Sequence, residues 1–220
     1  SIATRVFFNR AEASLALPNY ANALRSFEFG AEGSLFPLPG GEARLAIGGG
    51  VRTNKLTVDS RRVVGGIETP IDIFTETRKV TFGYGELSLP FVSPSNSLPL
   101  VNKFQLVGAF RFEDHRGIDQ VTTPKVGVVY SPSNGVDFKA SWGKSFKVPT
   151  LYQTGQTSNA QLLPGFIFSP APTSSNPVLY LFGGNPNLTP ERATTFTTSL
   201  TVEPFEGLRA ELGYFHIRYR

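Results

Sequence analysis

Ser26-Phe27-Glu28-Phe29-Gly30-Ala31-Glu32-Gly33-Ser34-Leu35 is the stretch that decides the fold. Successive side chains of a strand point to opposite faces. Phe27, Phe29, Ala31 and Leu35 therefore share one side, and Ser26, Glu28, Glu32 and Ser34 share the other. One face is oily and the other wet. In a soluble sandwich the oily face would cover a core; in a membrane barrel it would meet lipid while the polar face lines the lumen. The connections between such strands separate the two readings.

Eight strands are expected, at about 24–36, 42–53, 78–91, 103–113, 121–131, 136–146, 191–203 and 208–218. Residues 1–22 leave a further strand open, because Asn9–Leu17 alternates poorly, and no amphipathic helix is expected. Pro37-Leu38-Pro39-Gly40-Gly41, Ser131-Pro132-Ser133-Asn134-Gly135 and Glu203–Gly207 read as compact turns. Val92–Asn102 is a middling connection, Glu113–Gln120 a modest polar one, and the segments at about 54–77 and 147–190 read as long loops. Long structureless loops are uncommon inside compact domains, whereas short turns at one end and longer loops at the other suit strands that run up and down through an outer membrane. The expected fold is all-β: an antiparallel up-and-down meander forming part of a large transmembrane barrel. With the compact turns on the periplasmic side, strand 24–36 starts and strand 208–218 ends at the extracellular side, so an interior piece of a larger barrel is expected.

Composition agrees. The chain has 220 residues, 23.9 kDa and no cysteine, so no disulfide, thiolate metal site or cysteine nucleophile is available. Its net charge of +4 comes from scattered Lys and Arg rather than from a run suited to nucleic acid. Nineteen Phe give the oily faces their bulk, while 22 Gly and 17 Pro suit many turns. No apolar run approaches the roughly 20 residues of a spanning helix, a test that barrel strands escape because polar residues alternate. Ser1–Arg5 shows no signal-peptide pattern. In 103–113, Phe104, Leu106, Gly108, Phe110 and Phe112 alternate with Lys103, Gln105, Val107, Ala109, Arg111 and Glu113. In 136–146, Phe138, Ala140 and Trp142 are set against Lys139, Ser141 and Lys144, and Tyr130 falls where an interfacial aromatic girdle belongs.

Catalytic chemistry finds little footing. Gly143-Lys144-Ser145 ends like a phosphate-binding loop, but the position that requires glycine holds Phe138. Neither Gly-x-Ser-x-Gly nor HExxH occurs, and two histidines supply no catalytic or metal cluster. Glu113-Asp114-His115 could grip a cation at a loop apex, against the plainer reading of a solvated loop. No enzyme, metal site or cofactor is expected.

A resemblance sharpens the picture. Lys139-Ala140-Ser141-Trp142-Gly143-Lys144-Ser145-Phe146-Lys147-Val148-Pro149, followed after a long loop by Gly184-Asn185-Pro186-Asn187-Leu188-Thr189-Pro190-Glu191, strongly resembles the TonB-dependent outer-membrane receptors. Leu35-Phe36-Pro37-Leu38-Pro39-Gly40-Gly41-Glu42, Phe110-Arg111-Phe112-Glu113, Pro124-Lys125-Val126-Gly127 and Leu208–Tyr219 are similar to further elements of that family. The likeness covers nearly everything from about residue 23 onward and rests on the order and spacing of these motifs, none being specific alone. It makes the Asn187-Leu188-Thr189 sequon incidental. It implies a barrel of about 22 strands, plugged by a separate N-terminal domain, importing a scarce nutrient such as a siderophore or vitamin with energy passed through TonB. About eight of those strands are expected here, with no plug, no TonB-contacting segment and no terminal aromatic; residues 1–220 form one barrel segment, with 1–22 left open.

The resemblance also implies a bacterial outer-membrane location and, as partners, the lipid and lipopolysaccharide of that membrane, the TonB complex and a small-molecule ligand; nucleic acid is not among them. Ligands of the family meet loop tips and the upper lumen. Arg61 and Arg62, His115 and Arg116, and Tyr152, Phe166, Phe168, Tyr180 and Phe182 are the candidates there, since guanidiniums pair with anionic groups and aromatics stack on rings. Packing between loops, or binding of lipopolysaccharide phosphates, is the plainer role for the same residues. Arg111, Lys139 and Lys144 are expected to face the lumen. Two other readings remain open from sequence: a small self-contained outer-membrane barrel with a structural or adhesive role, and a secreted β-sandwich carbohydrate-binding module.

Overall fold

The computed structural model describes residues 5–8, 13–165 and 177–220. Eleven strands lie among them: β1 (Arg5–Phe8), β2 (Ala13–Leu38), β3 (Gly41–Val64), β4 (Ile67–Val92), β5 (Lys103–His115), β6 (Asp119–Ser133), β7 (Val136–Lys147), β8 (Asn159–Pro164), β9 (Pro177–Phe182), β10 (Glu191–Phe205) and β11 (Leu208–Tyr219). Helix is confined to a 3₁₀ turn at Pro94–Asn96 and one five-residue helix, α1 (Leu151–Gly155). Nine strands form one sheet in the order β1-β2-β3-β4-β5-β6-β7-β10-β11, and β8 pairs with β9 apart from it. Neighbouring strands pair antiparallel, for example at Glu86↔Ala109, Ala109↔Lys125, Lys125↔Gly143 and Gly143↔Thr195. All eight expected strands are present.

The order is linear and the sheet is not closed, so this is not a small closed barrel. A sandwich fails as well. The only other sheet among the described residues has two strands, and the oily face of the large sheet stays uncovered: Phe27 is 67% exposed and Phe29 65%. Phe110, Trp142, Phe196, Leu200 and Leu212 are exposed likewise. Apolar side chains in this number, arranged by strict alternation, are the lipid-facing pattern of a barrel wall.

One expected loop is strand. The segment at about 54–77 continues β3 to Val64 and begins β4 at Ile67, joined by Gly65-Gly66 alone. Both glycines have positive φ, 57° and 81°, as the two-residue hairpin turn compatible with strand twist requires. With 24 and 26 residues, β3 and β4 are more than twice as long as the ~10 residues a tilted strand needs to cross a bilayer. The segment at 147–190 is partly structured too, holding α1, β8 and β9.

The chain divides into two compact units. One comprises Ser1–Arg25, Thr53–Arg78 and Pro149–Leu188; its buried side chains include Leu56, Val58, Asp72 and Arg78. The other comprises Ser26–Arg52, Lys79–Val148 and Thr189–Arg220, with Val80, Phe82, Glu113, His115 and Val121 buried. In this second unit Gly50 permits a close approach of β2 to β3: a Cβ there would collide with the Phe27 carbonyl oxygen.

Candidate functional site

Within the second unit, the polar face of β3–β6 gathers charge around one carboxylate. Alternation and register put Arg111, Glu113 and His115 of β5 on the same face as Tyr84 and Phe82 of β4 and Thr123 of β6. Glu113, only 4% exposed, takes Arg111 Nε at 2.7 Å on Oε1 and Arg52 Nη2 at 2.6 Å on Oε2. His115 Nε2 lies 2.8 Å from Oε2, and the imidazole edge meets the Phe146 ring at 5.6 Å. Both guanidiniums also cover the Phe82 ring, at 5.6 Å for Arg52 and 5.0 Å for Arg111. Two cations around one buried carboxylate satisfy its lone pairs and leave positive charge over on this wall. Glu113-Asp114-His115 is thus the end of a strand, not a loop apex.

Within the first unit, α1 is clamped to the upper half of β4. Thr150 and Gln153 form a capping box, each side chain bonding the other's backbone N–H, which lets so short a helix persist. Arg78 donates from Nη1 to the Pro149 carbonyl at 2.5 Å and from Nη2 to Thr154 Oγ1 at 3.4 Å. Asp72 receives the Tyr152 hydroxyl at 3.1 Å on Oδ2 and the Thr157 backbone N–H at 3.1 Å on Oδ1. Asn159 and Thr157 side chains donate to the carbonyls of Ile71 and Ile73, and the Tyr152 ring packs on Phe74 and Tyr20. Burial first, then the Asp72 carboxylate beside it, pushes the Tyr152 phenol up to about 12.

The candidate residues are brought together only in part. Arg61 belongs to β3 and is engaged as a fork on Asp59, at 2.8 and 3.1 Å, with Glu68 at 3.6 Å. That pairing holds the Asp59 carboxyl below its usual range. Its neighbour Arg62 is exposed. His115 is buried at the end of β5, whereas Arg116 is exposed in the turn, where its backbone N–H donates to the Lys79 carbonyl. Tyr180 and Phe182 lie on β9 and stack with centroids 5.5 Å apart. Phe166 and Phe168 lie outside the described residues.

Arg111 and Lys139 share the polar face through Gln105↔Val129↔Lys139. Lys144 does not. It stands two residues from Trp142 on the same strand, so alternation places it with Trp142 and Phe138 on the apolar side, paired across the ladder with Thr194. Arg52, Phe82, Asp72 and Arg78 escaped the sequence reading. For Asp72, the Gly65-Gly66 pair and the isoleucines Ile71 and Ile73 on either side of it are the signals that mark a strand.

An open antiparallel sheet with a largely apolar, exposed face and a charged opposite face defines a transmembrane β-barrel wall. The family description "TonB dependent receptor-like, beta-barrel" matches residues 4–220, and the chain belongs to that family of receptors. Solved structures of similar fold include the siderophore receptor PirA of Acinetobacter baumannii, with TM-score 0.59 and 16% identity over 94% of this chain and 27% of that one. A mutant of the ferric enterobactin receptor PfeA of Pseudomonas aeruginosa is similar over 99% of this chain and 34% of its own, with TM-score 0.53 and 14% identity. The chain thus spans about a third or less of these structures. No curated protein matches it.

Proposed function

We propose that this chain is wall and loop structure of a bacterial outer-membrane active transporter that binds a scarce nutrient and imports it with energy transmitted by TonB. The family match over residues 4–220 carries this reading. The similar folds of a siderophore receptor and a ferric enterobactin receptor favour an iron chelate of siderophore type as the ligand class. Among the candidate contacts of the first unit, the exposed cation Arg62 suits an anionic chelate, and the stacked pair Tyr180 and Phe182 suits its aromatic or hydrophobic parts. Arg61, His115 and Tyr152 are already engaged within the protein and serve to shape the surface. Phe166 and Phe168, which precede that pair in the sequence, are proposed as further aromatic contacts. No catalytic step is assigned.

Uptake of radiolabelled ferric siderophores tests the proposal in iron-starved cells that carry or lack the complete reading frame. TonB-dependent uptake of at least one chelate, reduced at least fivefold by Arg62→Ala, is expected. Equal uptake with and without the frame across catecholate, hydroxamate and carboxylate chelates would contradict the siderophore reading.

A further inference from the structure

The sheet parts between β6 and β7. Their ladder runs from Ser133↔Val136 to Lys125↔Gly143 and stops there, although β5–β6 continues to His115↔Asp119 and β7–β10 to Lys147↔Glu191. Continued in the same register, the ladder would set Thr123 opposite Ser145, and these two form no pair. Pro124 stands at the parting and has no N–H to give a neighbouring strand.

Two contacts pass through the parting from one face to the other. Alternation sets Phe146 with Lys144 and Trp142 on the apolar side, and His115 with Arg111 on the polar side. Their rings nevertheless meet, with centroids 5.6 Å apart. Arg192, opposite Phe146, belongs to the apolar side, and Asp119, opposite His115, to the polar side, yet they form an ion pair at 2.7 Å. An intact ladder would hold such groups on opposite sides of the sheet. Two recesses, one with Trp142 and Phe196 in its lining and the other with Arg111 and Glu113, share Thr123, Lys144 and Ser145. The parting is thus a window, bounded at one end by Lys125↔Gly143 and at the other by the Arg192–Asp119 pair, and it lies wholly in the second unit.

The lining says what the window takes. Lys144, common to both recesses, has no ion-pair partner among the described residues, and on the polar side Arg52 and Arg111 share the single carboxylate of Glu113. Polar groups set within a membrane wall need a hydrogen-bonding occupant, and a lone cation there needs an anion. Strands that leave a ladder part from a spacing of about 5 Å, so the opening is narrow and suits one extended alkyl chain rather than the several of a membrane lipid. We infer that the window takes up the carboxylate of a single-tailed amphiphile, a long-chain monocarboxylic acid, from the surrounding lipid and presents it to the polar side of the sheet. The carboxylate pairs with Lys144 and accepts from the Ser145 hydroxyl, while the tail lies along Trp142 and Phe196. The surplus positive charge of Arg52 and Arg111 draws the head inward. The inference rests on the membrane placement proposed above and not on import of a chelate.

The test is a fluorescence titration of the protein made from its complete reading frame, held in nanodiscs. The probes are a dansyl-labelled undecanoic acid and the corresponding dansyl-labelled alcohol, each corrected for empty discs. The unaltered protein is expected to bind the acid saturably and at least tenfold more tightly than the alcohol. Thr123→Cys with Ser145→Cys, oxidised to draw the strands together, should lose that preference, and reduction should restore it. Lys144→Gln should weaken acid binding at least fivefold and leave the alcohol unchanged. Equal binding of acid and alcohol by the unaltered protein would overturn the proposal without any variant having to fold, as would an acid preference that survives both changes. Protein that inserts, imports a chelate and shows no preference fails this inference alone, whereas protein that does not insert contradicts the membrane placement as well.

Discussion

Two buried carboxylates, Glu113 and Asp72, are satisfied in opposite ways. Glu113 sits in a strand among two guanidiniums and an imidazole. Asp72 also sits in a strand, but its observed donors are neutral: a phenol and a backbone N–H from the segment around α1. A charge bound by charges is fixed to the wall, because removing it leaves cations facing one another. A charge bound by neutral hydrogen bonds holds its partner segment more lightly. The first arrangement builds barrel wall; the second holds a loop whose docking can be undone without unfolding the sheet.

Substitution should separate them. Glu113→Gln removes the counterion of Arg52 and Arg111 and should cost about 3 kcal/mol of global stability, read as a lower urea midpoint for the complete receptor in detergent. A change under a few tenths would show that the wall does not depend on this cluster. Asp72→Ala should release α1 at a cost of about 2 kcal/mol, seen as faster hydrogen exchange at Thr157 and new proteolysis near α1 with the global midpoint little moved. A global loss as large as that of Glu113→Gln would erase the distinction. Tyr152→Phe keeps the ring on Phe74 and Tyr20 and removes one hydrogen bond, so about 1 kcal/mol of docking should go.

The same phenol gives a pH signature. Its pKa is raised, so docking is whole below the ordinary phenol value near 10 and fades as pH climbs toward about 12. Absorbance titration of the protein minus that of Tyr152→Phe should show one phenol ionising late; titration near 10 would mean α1 is undocked. The smallest effect belongs to Asp59. Its carboxyl is lowered by Arg61, so the contribution is present above the ordinary Asp range and disappears as pH falls through the lowered value. The pair is exposed and screened, and Arg61→Ala should leave the unfolding midpoint at neutral pH unchanged within error.

The strands that cross the membrane were legible because lipid on one side and water on the other impose alternation, and Phe27 and Phe29 against Glu28 and Glu32 show it plainly. Residues 54–77 were not, because Asp59 and Arg61 on one face and Ser60 and Arg62 on the other put polar residues on both sides of β3, which erases the period-two signal. The Gly65-Gly66 turn was the remaining clue. Lys144 was misplaced although its parity with Trp142 is readable by counting. The union of Asp72 with Tyr152 was beyond reading: the partners are far apart in sequence, and neither local pattern names the other. Of the candidate ligand residues, sequence reasoning could not tell engaged side chains such as Arg61 from exposed ones such as Arg62.

The central claim, that one face of this sheet meets lipid and the other a wet lumen, is tested most directly at Phe138, Lys139, Ala140, Ser141 and Trp142. The chain has no cysteine of its own, so each position can be replaced in turn by cysteine, spin-labelled and reconstituted in the complete receptor. Collision rates with oxygen should be high at Phe138, Ala140 and Trp142, and those with a water-soluble nickel chelate high at Lys139 and Ser141. Uniform access of the nickel chelate to all five would contradict the account.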